Sequence, residues 1–177
     1  MPIIEEEIKE GQLLFNFPIG ALSSKYDDWP HYQNQFKDDF LGNKAVDIVY
    51  CDDETAWLIE IKDYRVHERT KTIDLADEVA IKVRDTLAGL VSSFSKANDA
   101  DERRVAGALL KKKKWRVVLH LEVPKVKSRL RRDLIEPDKI KHKLRSLVKA
   151  IDPHPSVVNQ NTLQTAMKWT VTDYKKT

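Results

Sequence analysis

The centre of the chain contains two apolar runs that are separated by a short acidic segment. Residues 44–51 and 56–63 are rich in β-branched and aromatic side chains, which suit a pleated and buried surface. Three of the four residues between the runs, 52–55, are acidic, as expected for a tight and exposed turn. The pattern predicts two antiparallel strands that reverse direction near Asp52 and Asp53.

Helical periodicity follows this hairpin. Apolar residues recur every three or four positions from Leu75 to Phe94, which predicts a long helix with Asp74 as its N-cap. Four shorter elements are predicted after it: a helix at 105–110, a strand at 116–123 that Pro124 stops, a basic amphipathic helix at 138–151 and a closing strand at 169–172.

The N-terminal third has weaker periodicity. Residues 3–11 are compatible with a short helix, and residues 12–17 with a strand or a buried turn. Aromatic residues spaced by three and four within 23–41 predict one face of a helix, with Pro30 near its start or at a bend. The resulting order predicts an α/β protein with a mixed β-sheet flanked by helices, folded as one domain over residues 1–177.

Composition restricts the class of protein. The length of 177 residues, with 41% apolar and 33% charged residues, suits a globular domain with its own core. No apolar run approaches the roughly 18 residues that a membrane-spanning helix needs. The acidic start of the chain is unlike a secretory signal, and the single Cys51 excludes an internal disulfide. These features predict a cytoplasmic protein without membrane partners.

Charge is distributed unevenly along the chain. Residues 111–150 contain 15 Lys and Arg but 4 Asp and Glu, whereas the remainder contains 16 basic and 24 acidic residues. This predicts a basic, helical C-terminal portion, about 125–177, and a polyanionic partner. A solvated, lysine-rich helix face explains the same distribution equally well, so both interpretations stay open.

Three charged residues interrupt the two central strands. Asp47 lies within a β-branched run, and Glu60 and Lys62 lie within the second apolar run. Such charges are costly to bury unless a metal, a partner or water compensates them. Because side chains alternate along a strand, Glu60 and Lys62 point to one face, and an antiparallel hairpin brings Asp47 close to Glu60. The pattern predicts that two carboxylates and an ammonium group converge.

Such a convergence suits a divalent cation. Two carboxylates supply the oxygen ligands that Mg²⁺ or Mn²⁺ prefers. The cation activates a bound water and holds a phosphodiester oxygen, while the lysine orients the water and offsets developing charge. An exposed Glu–Lys pair on a half-open sheet is the structural alternative, with Asp47 at a strand end.

The Asp…Glu-x-Lys arrangement resembles the PD-(D/E)XK nuclease superfamily. The resemblance covers roughly residues 40–125, and Val46 replaces the proline of the family name. It implies a restriction-endonuclease-like fold with an αβββαβ core. It also implies a Mg²⁺-dependent nuclease and hydrolase, an endonuclease or an exonuclease, with Asp47, Glu60 and Lys62 as catalytic residues and Asp47 and Glu60 as metal ligands.

The resemblance also directs attention to less specific positions. An acidic residue near the N-terminus often completes such a site, and Asp27 or Asp28 is preferred here over Glu6 or Glu7. Nucleic-acid contacts are predicted for basic residues outside the strands, although a solvated surface explains them as well. These are Arg65, Lys82, Lys111, Lys112, Lys113 and Lys114.

Other catalytic classes have no motif in this sequence. There is no Gly-rich phosphate loop among the five glycines, no nucleophile elbow and no zinc-binding pair of histidines. His120 alternates with apolar neighbours and is predicted to be a sheet-face histidine, and Trp57 and Trp115 are predicted to be core residues. Acidic neighbours disfavour a reactive thiolate at Cys51.

Three functional hypotheses follow from the sequence. The first is a nuclease that acts on DNA, or less readily on RNA, and that works as a homodimer or with a partner protein. The second is a catalytically inactive nucleic-acid-binding module that uses the basic C-terminal part. The third is a protein-interaction module with a solvated lysine-rich surface.

Overall fold

The computed structural model describes residues 4–124 and 135–174 and has two β-sheets with helices packed against the larger one. This confirms the predicted α/β class. The strands are β1 (Glu7–Glu10), β2 (Leu13–Asn16), β3 (Leu22–Lys25), β4 (Ile48–Cys51), β5 (Thr55–Asp63), β6 (Lys114–Glu122), β7 (Ser156–Val158) and β8 (Thr170–Asp173). The helices are α1 (Leu75–Lys96), α2 (Ala100–Leu110) and α3 (Pro137–Val148).

The larger sheet has the order β3-β4-β5-β6-β7, and the smaller sheet has the order β1-β2-β8. Neighbours from β3 to β5 are antiparallel, whereas β6 runs parallel to both β5 and β7. A parallel neighbour requires a crossover connection, and α1 and α2 supply it between β5 and β6.

Both faces of the larger sheet are covered, which explains the nearly unbroken apolar sequence of its central strands. On β5, Ala56 and Leu58 face the core that contains α1 and α2. The alternating residues Trp57, Ile59 and Ile61 face a second core, which the smaller sheet closes. Glu60 and Lys62 follow the register of Leu58 and therefore point towards α1.

The predicted central hairpin is confirmed. β4 pairs antiparallel with β5, with Ile48 opposite Ile59. One carboxylate oxygen of Asp52 accepts hydrogen bonds from the backbone N–H groups of Glu54 and Thr55, at 3.0 and 2.8 Å. This is the local Asx geometry that aspartate favours in turns.

The predicted start of the long helix is also confirmed. The Asp74 carboxylate accepts a hydrogen bond from Ala76 N at 2.8 Å, as expected of an N-cap. The next helix, α2, is longer than predicted because Asp99 caps it and starts it at Ala100. Among the described residues, no helix is long and apolar enough to cross a membrane.

The N-terminal third differs from the predictions. Residues 3–11 contain β1 rather than a helix, and β3 and β7 were not predicted. The aromatic segment 23–41 begins within β3 and then forms only short 3₁₀- or π-helical segments, at Tyr26–Asp28, Tyr32–Phe36 and Asp39–Leu41. The aromatic residues recur at helical spacing because their rings pack together in the core and not because they share a continuous helix. The ring centroids of Tyr26 and Trp29, for example, lie 5.0 Å apart. The predicted basic stretch at 125–134 lies outside the described residues.

Candidate functional site

The three charged residues of the central strands do converge. Asp47 and Glu60 are buried, and Lys62 is half-buried. The Nζ atom of Lys62 lies 2.7 Å from Oε1 of Glu60. The register of the hairpin brings Asp47 beside β5, where its Oδ2 atom accepts a hydrogen bond from Ile61 N at 2.6 Å.

Helix α1 adds two further charges to this cluster. Lys82 Nζ lies 2.6 Å from Glu60 Oε1 and 3.8 Å from Asp47 Oδ1. One helical turn earlier, Glu78 approaches Lys62 at 3.4 Å. We call Asp47, Glu60, Lys62, Glu78 and Lys82 the strand–helix charge cluster. Lys82, predicted as a nucleic-acid contact, is thus held inside the cluster by two carboxylates.

Two salt bridges from the loop after β5 enclose the cluster. Arg69 Nη2 lies 2.9 Å from Glu78 Oε2, and Lys71 Nζ lies 2.5 Å from Glu78 Oε1. These positive charges hold the pKa of Glu78 low, at about 2, despite the opposing effect of burial. Glu78 was not predicted, because an acidic residue in the first turn of a helix is ordinarily explained by the helix dipole.

Two carboxyl groups of the region favour their protonated form. Burial, reinforced by the charge of Glu60, raises the pKa of Asp47 to about 7. Burial, followed by the charge of Asp47, raises the pKa of Asp27 to about 7. Glu60 Oε2 and Asp27 Oδ1 are also buried without a hydrogen-bond partner in the described structure. These oxygens have unused capacity for a proton or a cation.

We expect Asp27 and Asp47 to make the folded protein less stable as the pH rises from 5 to 7. An acid whose folded pKa exceeds its unfolded pKa keeps its proton longer when folded, so raising the pH through this window favours unfolding. Replacing Asp27 by Asn removes one such group and should flatten the dependence. The slope of the unfolding free energy against pH should change by less than ~1.4 kcal/mol per pH unit, because Asp27 is only partly buried and solvent screens its charge.

Urea unfolding at a series of pH values measures this difference. Asp28→Asn is the matched control, since its neighbouring carboxyl group is exposed. An unchanged pH dependence in Asp27→Asn would show that the Asp27 carboxyl group does not retain its proton in the folded state.

The cluster fits a metal ion only in part. No group of three or more His, Cys, Asp and Glu side chains that could hold a metal ion is found within residues 4–124 and 135–174. Oε1 of Glu60 is already held by two ammonium groups. A cation would therefore use the second oxygen of Glu60 together with Asp47.

Arg65 and the sheet-face histidine lie elsewhere. Arg65 forms salt bridges with Asp63 at 2.6 Å and with Asp173 at 2.7 Å. His120 is buried, and its ring lies 3.0 Å from Glu122, which confirms the prediction of a satisfied sheet-face residue. Trp57 is a core residue as predicted, whereas Trp115 is only half-buried against the core.

The lysine turn Lys111–Lys114 lies at the other end of the strands. Lys114 is opposite Thr55, at the start of β5, whereas Glu60 and Lys62 lie near its end. At about 3.3 Å per residue, the five positions from Thr55 to Glu60 span roughly 16 Å. The lysine turn and the charge cluster are therefore separate features.

Comparison with known proteins gives one informative relative. The chain is 35% identical to a cysteine–tRNA ligase of Neisseria meningitidis serogroup A over an alignment 153 residues long. The alignment covers 70% of this chain and 22% of the ligase. No protein-family model matches the sequence. No solved structure matches it either.

This relative corrects the functional predictions. A cysteine–tRNA ligase points to a family other than the PD-(D/E)XK superfamily, so the predicted membership is wrong. The predicted Mg²⁺-dependent nuclease, with its endonuclease and hydrolase activities, is wrong for the same reason. The charge cluster on the strands is real, but the short motif that it forms does not identify a reaction.

Proposed function

We propose that this domain binds RNA, with tRNA as the first candidate, and assists a reaction of the cysteine–tRNA ligase type. The observation that carries the proposal is a row of basic residues on α3 and at its C-cap, in a chain similar to such a ligase, that form no salt bridge with another described residue. Since the similarity covers 22% of the ligase, the joining of cysteine to tRNA is a property of the whole relative. RNA binding is the contribution that we propose for the shared part.

Helix α3 presents basic side chains on the side that faces away from the core. Leu144 and Val148 are buried, which fixes the opposite face in solvent. Lys141, Arg145 and Lys149 are exposed and have no salt bridge within the described part of the chain. Their charges are therefore available to an anionic partner.

The remaining lysines of α3 are neutralised locally. Lys139 lies 2.9 Å from Glu136, and Lys143 lies 2.7 Å from Asp77 at the start of α1. Lys139 and Lys143 are therefore engaged in salt bridges within the domain and are not counted among the residues that would contact RNA. We call Lys141, Arg145 and Lys149 the α3 basic row.

The lysine turn extends the positive charge to the N-terminal end of β6. Arg116, at the start of β6, forms a 2.6 Å salt bridge with buried Asp152, which follows α3. This contact ties the C-terminal end of α3 to the strand that begins at Lys114. Lys111, Lys113 and Lys114 are exposed beside it.

Phosphate contacts account for the affinity that these charges would provide. Each neutralised phosphate releases counterions, so binding of this kind weakens with salt and depends little on sequence. The similarity to a tRNA ligase favours RNA over the DNA that the sequence motif favoured. A homodimer and a cytoplasmic location remain part of the proposal.

We also propose a divalent cation, Mg²⁺ or Mn²⁺, at Asp47 and Glu60, with Asp27 nearby. The buried, unpartnered oxygens of Glu60 and Asp27 support it. When bound, the cation would be held by Asp47 and Glu60 and would offset their negative charge, which favours an anionic partner at the domain. The catalytic roles of Asp47, Glu60 and Lys62 stay a prediction from the sequence.

The finer fold assignment is a proposal as well. Along the chain, the antiparallel strands β3, β4 and β5 are followed by α1 and α2 and then by β6, which is parallel to β5. This order supports the βββαβ part of the αβββαβ core of a restriction-endonuclease-like fold. Among the described residues, β1 and β2 rather than a helix precede these three strands. Such a core hosts many functions, so it is compatible with an RNA-binding module. We also retain residues 1–177 as one domain, with its basic C-terminal portion.

Titration of fluorescent tRNA with the wild-type protein tests the RNA proposal. We expect binding at low salt, and a loss of about tenfold or more between 50 and 200 mM salt if several phosphates are contacted. Repeating the titration with Mg²⁺, with EDTA and with Asp47→Asn tests the cation, which should strengthen binding only in the wild type. Absence of tRNA binding by folded protein at low salt would refute the proposal.

A further inference from the structure

We propose that a cavity beside the lysine turn binds one unpaired nucleotide of the RNA. This inference rests on the proposed function and deepens it. The cavity has a volume of about 390 Å³ and is lined by Ile19, Leu22, Asp53, Ala108, Lys112 and Lys168, among others. It lies between the β2–β3 loop, the β4–β5 turn and the end of α2. The charge cluster contributes no residue to it.

The size of the cavity suits a single nucleotide. Small-molecule pockets commonly occupy about 300–1,000 Å³, and this one is at the lower end of that range. An RNA helix does not fit into such a volume, whereas a base turned out of a single strand does. Unstacked bases of this kind are the usual target of selective RNA contacts.

The apolar side of the cavity is unusually open to solvent. Ile19 is 93% exposed on the β2–β3 loop, although it is a large aliphatic residue. Leu22 and Ala108 line the same cavity and are half-buried. A base covering Ile19 would remove its apolar surface from water, which stabilises the bound state.

The polar groups match the remainder of a nucleotide. Lys112 donates one hydrogen bond to the Asp53 carbonyl at 2.9 Å, which leaves two N–H donors for a phosphate. Lys168 is exposed and has no salt bridge in the described structure. The exposed Asp53 carboxylate can accept hydrogen bonds from the N–H groups of a base.

The position of the cavity favours an RNA strand over a free nucleotide. Lys112 lines it, and the exposed Lys113 and Lys114 follow directly in the chain. A strand whose base enters the cavity can therefore continue along the lysine turn with its phosphates. A free nucleotide would use only the two lysines of the cavity.

Binding of a short single-stranded RNA to four exposed-site variants tests this inference. We expect Ile19→Asp to weaken binding about tenfold and Lys168→Ala about threefold, because a base contact and a phosphate contact are lost. Leu41→Asp and Lys96→Ala are the matched controls, since both residues are exposed and absent from the cavity lining. Both controls should change the affinity less than twofold.

The backbone amides of Gly20, Ala21 and Asp53 provide a second readout. Their NMR signals should shift when single-stranded RNA is added to the wild-type protein. If tRNA binds but these signals and the variant affinities stay unchanged, the nucleotide site is refuted and the RNA proposal stands. If no RNA binds, the RNA proposal fails, and the amide signals are then measured with guanosine monophosphate alone. Shifted signals would support the nucleotide site, and unshifted signals would refute it.

Discussion

Reversing the α3 basic row, as Lys141→Glu, Arg145→Glu and Lys149→Glu together, should lower tRNA affinity at least about 100-fold at moderate salt. Each substitution removes one proposed phosphate contact and adds a repulsive charge. Each lost contact should reduce the slope of log affinity against log salt concentration by about 1. All three side chains are exposed, so the helix should still fold through Leu144 and Val148.

Salt titrations of tRNA binding measure this effect. A matched reversal of Lys37, Lys44 and Lys96 changes net charge equally at exposed positions outside α3 and the lysine turn. It should weaken binding much less, because it acts only through long-range charge, which salt screens within about 10 Å. Equal losses in the two triple variants would show that net charge rather than α3 determines the affinity.

Replacing Glu60 by Ala should lower the free energy of unfolding by about 3–5 kcal/mol, the range for breaking a buried ion pair. Glu60 is 1% exposed and contacts two ammonium groups, those of Lys62 at 2.7 Å and Lys82 at 2.6 Å. Without Glu60, the salt-bridge partner left to Lys82 within residues 4–124 and 135–174 is the more distant Asp47, at 3.8 Å. The unbalanced buried charge, more than the lost contact, produces the effect.

Urea unfolding of Glu60→Ala and of the double variant Glu60→Leu/Lys82→Met measures this cost. The double variant removes a partner from each side and should recover part of the lost stability. Glu54→Ala, in the exposed β4–β5 turn, should change stability by less than about 0.5 kcal/mol. A loss below about 1 kcal/mol in Glu60→Ala would mean that the cluster is hydrated and contributes little to the fold.

Local sequence signals predicted the centre of the fold well. The hairpin between β4 and β5 and the N-cap at Asp74 follow from residues within a few positions of one another, and the structure confirms both. β3 and β7 depend on pairing with distant strands, since β3 joins β4 and β7 joins β6. A short strand stabilised by a distant partner has little periodicity of its own.

The candidate site was predictable only where charge interrupted a strand. Asp47, Glu60 and Lys62 were detected because buried charges need partners, and their convergence followed from strand alternation and the hairpin. Glu78 and Lys82 complete the cluster, but charged residues four apart on a helix usually lie on a solvated face. Their role depends on α1 packing over the sheet, which the sequence pattern does not encode.

The functional assignment failed for a different reason. A carboxylate pair beside a lysine is compatible with hydrolysis, with cation binding and with a buried ion-pair network. The spacing of Asp47, Glu60 and Lys62 cannot separate these uses, and a short motif is a weak guide to a reaction. Similarity over 70% of the chain to a cysteine–tRNA ligase carries more information than three positions do.

Amide hydrogen exchange with and without bound tRNA tests most directly whether RNA covers the α3 basic row and the lysine turn. We expect slower exchange in α3 and around the lysine turn Lys111–Lys114, and little change at the start of β1. Protection that is confined to β1 and β2, or no protection under conditions where tRNA is bound, would contradict the proposed binding surface.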